Sequence, residues 1–208
     1  MFEGERLEYM KVTKEELIEI SISLFNEHGY KNTTVKDICK ECGVTQGAFY
    51  HYFKNKQDVL MGALNYDYIW KDGIEIVNLL LGDESEIEKL WKILLTGIDN
   101  ASSLTPDTYK HAMIADLDMR LNNLNSDDIF ESNINKDILS IELKLIREGQ
   151  NKHIIRSDIE AELLLRAFYN GITGIRHSWC VANGTFDIRE RAREYFEIIF
   201  TPVLLNEK

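Results

Sequence analysis

Two prolines in 208 residues leave little to break a helix or stiffen a linker. Three cysteines are too few for a disulfide framework, and no basic segment leads into a secretory-type apolar stretch, so a reducing, cytoplasmic location is expected. No apolar run reaches the roughly 18 residues a membrane helix needs, so no membrane partner is expected. No Val/Thr-rich alternating run competes as a strand. No glycine-rich phosphate loop follows a strand, and the Ser, His and acidic residues form no recognisable nucleophilic set. An enzyme is therefore not expected, and neither is a cofactor. Positive charge is scarce as well: 24 Lys and Arg face 35 Asp and Glu, a net charge of −11, which excludes a globally basic nucleic-acid binder.

One further absence points the other way. Residues 42–57 contain no Asp or Glu at all. Within 31–57 five lysines (31, 36, 40, 54, 56) stand against Asp37 and Glu41. A local basic patch on an acidic protein can meet phosphates while the remaining charge limits non-specific sticking.

What is present is helical punctuation. Thr13 with Glu16 makes a capping box, and Leu17, Ile20, Ser21, Leu24 and Phe25 follow at helical spacing up to Gly29. Thr34 caps a second short helix, Gly43 permits a left-handed turn, and Thr45 caps a third. The second helix packs through Val35, Ile38, Cys39 and Cys42; the third buries Phe49 and Phe53 and leaves Gln46, Ala48, Tyr50 and His51 on its other side. Two short helices, a tight glycine turn and a polar, aromatic second helix are the layout of a helix-turn-helix, whose second helix lies in the DNA major groove. A fourth helix is expected from Asn55 to about 81, bent at Gly73. Further helices are expected at about 86–103, 106–123, up to 149, 158–182 (opened by Ser157 with Glu160) and 187–204. The chain reads as all-α with about nine helices, divided into residues 1–57 and 58–208.

The residues then match a family. Phe25-x-x-x-Gly29-Tyr30-x-x-Thr33-Thr34-Val35-x-x-Ile38, followed by Gly43-Val44-x-x-Gly47-x-x-Tyr50-x-Tyr52-Phe53-x-Asn55-Lys56-x-x-x-Leu60, resembles the N-terminal domain of TetR-family regulators over roughly residues 13–61. Cys39, Cys42 and Ala48 depart from the family's usual aliphatic or hydroxyl residues. The resemblance implies an all-helical homodimer, a headpiece that binds a double-stranded DNA operator, and a divergent C-terminal domain that takes a small-molecule effector. Repression released by a small apolar effector is the mechanism expected. The alternative is a small-molecule-binding or sequestering dimer without operator-specific binding.

In the headpiece, Gln46 can pair bidentately with adenine, and Ala48 and Thr45 can meet a thymine methyl. Gly47 removes bulk, Tyr50 can reach a phosphate, and His51 is either a DNA donor or solvated surface. Thr34 and the amide of Val35 form a helix N-terminus suited to phosphate. Lys36 resembles a family position that reaches bases or backbone, and Tyr52 and Lys56 look like the family's phosphate contacts. Cys39-x-x-Cys42 has no second pair for a zinc site, so buried small hydrophobes are the better reading and no metal is expected.

In the second half, Tyr66, Trp70, Trp91, His111, Met113, Phe168 and His177 are candidates to line an effector pocket, with ordinary core packing as the alternative for each. Gly171 and Gly174 thin one helix face for a partner, and Ile175, Phe196, Ile199 and Phe200 offer apolar surface beside it. Two half-sites in successive major grooves, roughly 34–36 Å apart, require such a dimer.

Overall fold

The structure is a computed structural model and describes residues 12–64, 74–122 and 136–202. All secondary structure among the described residues is helical. The helices are α1 (Lys14–His28), α2 (Val35–Glu41), α3 (Gln46–Tyr52), α4 (Lys56–Leu64), α5 (Ile74–Leu81), α6 (Glu86–Ser102), α7 (Pro106–Asn122), α8 (Lys136–Asn151), α9 (Ala161–Val181) and α10 (Ile188–Phe200). Among the described residues ten helices thus stand where about nine are expected. The extra one comes from the expected long fourth helix, whose described parts are α4 and α5, with 65–73 outside the described residues.

Local chemistry explains the first elements. The Thr13 side chain accepts from the Glu16 amide, and the Glu16 carboxylate accepts from the Thr13 amide at 2.8 Å. Gly29 ends α1 at φ 85°, a left-handed backbone that costs glycine nothing. The expected box at Ser157 is absent. Helix α9 begins only at Ala161, its cap residue Glu160 makes no side-chain bond to the helix, and Arg156 instead donates its amide to the Phe200 carbonyl at 2.9 Å. That bond ties the α8–α9 connection to the end of α10.

Two apolar cores form. One gathers α6, α8, α9 and α10 around Phe168, Phe196, Phe200, Leu90, Ile93 and Ile146. The other joins α1 to α4 through Phe25, Ile38, Phe49, Val59 and Leu60. This second core continues through the α6–α7 turn into α7, because Leu104 of the turn and Tyr109 and Ala112 of α7 are buried in it. Asn26 fixes the seam: its Nδ2 donates to the Ser103 carbonyl at 2.8 Å, and its Oδ1 accepts from the Thr105 amide at 2.9 Å.

Candidate nucleic-acid interface

Helix α3 has seven residues, too short to persist alone in water. Phe49 and Phe53 anchor it; they are buried, with ring centroids 5.7 Å apart. Thr45 caps it by accepting from the Ala48 amide at 3.2 Å. Gly43 supplies the turn before it at φ 65°. With one face tied down, the opposite face is fixed in space. Gln46, Gly47, Tyr50 and His51 are exposed there, Ala48 is half-buried, and Tyr50 shows 53% of its surface. Tyr50 stands edge-on against Phe49 at 5.5 Å, so the ring is oriented while much of its surface stays exposed.

Beside it lies the start of α2. The Thr34 side chain accepts from the Asp37 amide at 3.2 Å, while its hydroxyl donates to Asp37 Oδ2 at 2.6 Å. Asp37 also accepts from the Thr34 amide, and these bonds hold its carboxyl below the ordinary carboxylate range. Thr34 is thus already engaged in a capping box, whereas Lys36 is exposed and Val35 half-buried.

Two expected phosphate contacts are placed differently. Lys56 turns inward: its Nζ donates to the Tyr30 carbonyl at 2.6 Å and the Thr33 carbonyl at 2.9 Å, and lies 4.2 Å from the Tyr30 ring centroid. Burial lowers its pKa. The Tyr52 hydroxyl reaches back 3.5 Å to the Val12 carbonyl. Neither contact is visible in the sequence, because the bonds span 23 or more positions.

Cys39 is buried and Cys42 half-buried, both as free thiols. Burial raises the Cys42 thiol to about 11, the wrong direction for a thiolate ligand or nucleophile. Among the described residues no cluster of His, Cys, Asp and Glu could hold a metal.

The residues expected around an effector do not converge. Tyr66 and Trp70 lie outside the described residues. Trp91 and Phe168 both pack on Phe196, at 5.2 and 5.9 Å, inside the larger core. His177 is exposed. Met113 packs on the headpiece core, and His111 stacks on Tyr30 at 4.7 Å. His111 thus belongs to a joint between α7 and the headpiece, where Tyr30 is held by His111, Lys56 and Phe25.

The faces offered for a partner also shift. Ile175, Phe196 and Phe200 are buried within their own chain, and Ile199 is half-buried. A Cβ on Gly171 would meet Tyr195 Cδ1 at 2.7 Å, so this glycine makes room for α10 of the same chain. Gly174 is exposed, with nothing within 4 Å of an added Cβ. What α9 does leave open is Leu163, Ala167, Asn170, Gly174, His177 and Val181, at alternating steps of four and three. Tyr195 and Ile198 extend this face from α10.

Residues 14–61 match the model of the bacterial regulatory proteins of the tetR family. Along nearly the whole chain, the HTH-type transcriptional repressor KstR2 of Mycolicibacterium smegmatis is 27% identical, covering 89% of this chain and 88% of that one. Residues 14–61 thus match the DNA-binding domain of the TetR family, and the rest of the chain is similar to a repressor whose name carries such a domain. Two further comparisons agree. The uncharacterized HTH-type transcriptional regulator YuxN of Bacillus subtilis is 44% identical, over 28% of this chain and 20% of its own. The Thermus thermophilus transcriptional repressor FadR, solved with lauroyl-CoA, shares the fold at a TM-score of 0.54 and 19% identity, covering 90% of this chain and 93% of that one. All three of these proteins are named as transcriptional repressors or regulators. Among the described residues no helix is long and apolar enough to cross a membrane.

Proposed function

We propose that this TetR-family regulator is a cytoplasmic homodimeric repressor that holds an operator until a small, mainly apolar effector binds its C-terminal helices. The observation that carries the DNA half is the exposed face of α3. Gln46, Gly47, Tyr50 and His51 stand clear of the protein on a helix locked from behind by Phe49 and Phe53, in a stretch free of acids. Phosphate contacts from Tyr50, Lys36 and the α2 N-terminus set the register, while Gln46, Thr45 and Ala48 read bases.

The dimer is supported by the open stripe of α9 with Tyr195 and Ile198 of α10. Val181 and Ile198 show 75% and 72% of their surface, more than isolated apolar residues of a monomer need to. Two copies of these helices would bury the stripe and set two α3 helices on one side of the DNA. For the effector, support comes from relatives. The repressor of Thermus thermophilus was solved with lauroyl-CoA, and a Bacillus subtilis relative of 22% identity, matching 90% of this chain and 94% of its own, is named a fatty acid metabolism regulator. The effector acts only through unequal affinity for the DNA-competent and incompetent states.

Selection from a random duplex pool tests the reading. A two-fold-symmetric motif should emerge with the parent protein. Gln46→Ala should relax the motif at a few positions, whereas Tyr50→Phe should weaken all duplexes alike. A pool that stays random with the parent protein would refute operator binding.

A further inference from the structure

Helix α8 carries a carboxyl where an apolar residue belongs. Glu142 lies on the same face as Ile138, Leu145 and Ile146, and its residue surface is wholly buried. Its Oε1 accepts from the Tyr169 hydroxyl of α9 at 2.8 Å. Its Oε2 is also buried, and among the described residues nothing hydrogen-bonds to it. Among the described residues two other side chains hold buried polar atoms of this kind, and each has another evident purpose. His111 is stacked on Tyr30 in the headpiece joint, and Arg176 donates through Nη2 to the Gly97 carbonyl at 2.9 Å. Glu142 alone sits deep among the apolar side chains of the larger core with half of its functional group unused. Buried polar groups in native proteins are nearly always partnered, because leaving one unmade forfeits its hydration without return.

We infer that Glu142, steadied by Tyr169, is the polar recognition point of the effector site, and that its Oε2 donates a hydrogen bond to an uncharged carbonyl oxygen on an otherwise apolar ligand. The inference rests on the proposed reading that the C-terminal helices bind an effector.

The proton's position follows from the geometry. The oxygen that accepts from Tyr169 is the carbonyl oxygen of the acid, so a protonated carboxyl carries its hydrogen on Oε2. Burial pushes the carboxyl up to about 8, so it is protonated near neutrality. A buried neutral acid is a donor. It suits an ester, thioester or ketone oxygen, whose own desolvation is modest. An alkylamine would require the acid to ionise, and a free carboxylate would bring uncompensated charge into the core.

The test uses the full-length protein and ligands in matched pairs: methyl laurate against dodecane, and cyclododecanone against cyclododecane, with lauric acid and dodecylamine as charged comparisons. Affinity is read by tryptophan fluorescence and thermal shift on the parent, Glu142→Gln and Glu142→Leu. The carbonyl member of at least one pair should bind the parent about five- to tenfold more tightly, the worth of one buried hydrogen bond. Glu142→Gln retains an N–H donor and should keep most of that preference. Glu142→Leu should lose it while still binding the hydrocarbon, and should melt higher than the parent when free, because it removes an unsatisfied polar atom. If Glu142→Leu fails to fold, the Glu142→Gln comparison and the parent's ligand ranking decide alone. Equal affinity within both pairs would overturn the inference, as a buried water satisfying Oε2 predicts, but would leave the effector reading intact. So would preference for dodecylamine or lauric acid. Binding of none of the compounds would overturn both.

Discussion

The ammonium of Lys56 is spent inside the protein. It clasps the carbonyls of Tyr30 and Thr33, which otherwise end the α1–α2 connection without a donor from this side. Lys56→Met keeps the stem and removes both bonds. It should lower the stability of the DNA-free protein by about 2 kcal/mol in urea unfolding, since bonds from a charged donor are worth more than neutral ones. Unchanged stability would mean that the side chain matters only when DNA is bound. The buried acid gives a second test at this scale. Glu142 has an ordinary value of 4.5 that rises to about 8 in the folded chain. A raised acid keeps its proton in the folded state after the unfolded state has lost it. Stability is therefore fully present below about 4.5 and declines as pH rises toward about 8. His111 works oppositely: burial lowers its pKa from 6.5, so its contribution is lost as pH falls below that value. The clean measurement is the difference between Glu142→Gln and parent. It should grow with pH by up to about 1.4 kcal/mol per unit and then level off; a flat difference would show that the carboxyl is solvated.

At the scale of the element, α3 depends on its two ends. Gly43 at φ 65° and the Thr45 cap together decide where the helix starts and which face looks outward. Gly43→Ala adds a Cβ in open space, so the cost is backbone strain alone, about 1 kcal/mol. Thr45→Ala should cost about the same by orphaning the Ala48 amide. Both are measurable as shifts of the urea midpoint with unchanged slope. These features were legible in the sequence because they are local: a threonine three residues from its amide, a glycine in a turn. The partner face was not. Phe196 and Phe200 read as surface by spacing, yet they turn inward because Phe168 of α9 stands 5.9 and 5.8 Å from them, and only packing reveals that. Glu142 was missed for a related reason. A glutamate in a helix reads as solvated, although its position between Ile138 and Leu145 already places it on the apolar side. The expected helix start at 158, capped by Ser157, moves to Ala161, beside a connection whose Arg156 amide is tied to Phe200, 44 positions away in the chain. Ile198→Glu places a charge in the open stripe of α9 and α10, and should convert the proposed dimer to monomer by light scattering without lowering helicity; an unchanged mass would place the interface elsewhere.

For the whole molecule, charge sets how the regulator meets DNA. A net charge of −11 repels a duplex at long range, so the attraction is confined to the neighbourhood of α2 and α3. Each subunit offers few lysines there, and Lys56 is turned inward. The slope of log affinity against log salt should therefore be shallow, and Lys36→Ala should reduce its magnitude by about 2 per dimer, one phosphate in each half-site. Fluorescence anisotropy of a labelled operator across a salt series measures this; an unchanged slope would place Lys36 off the backbone. The seam between headpiece and remainder has another consequence. Leu104 of the α6–α7 turn, with Tyr109 and Ala112 of α7, completes the core of α1 to α4, and Asn26 is bonded to the backbone on either side of Leu104. A modular exchange that grafts only the first four helices onto a foreign sensor would carry an unfilled hollow at its base. A transplant that also brings the α6–α7 corner would arrive sealed, so the portable unit of DNA recognition in this protein is discontinuous in its gene.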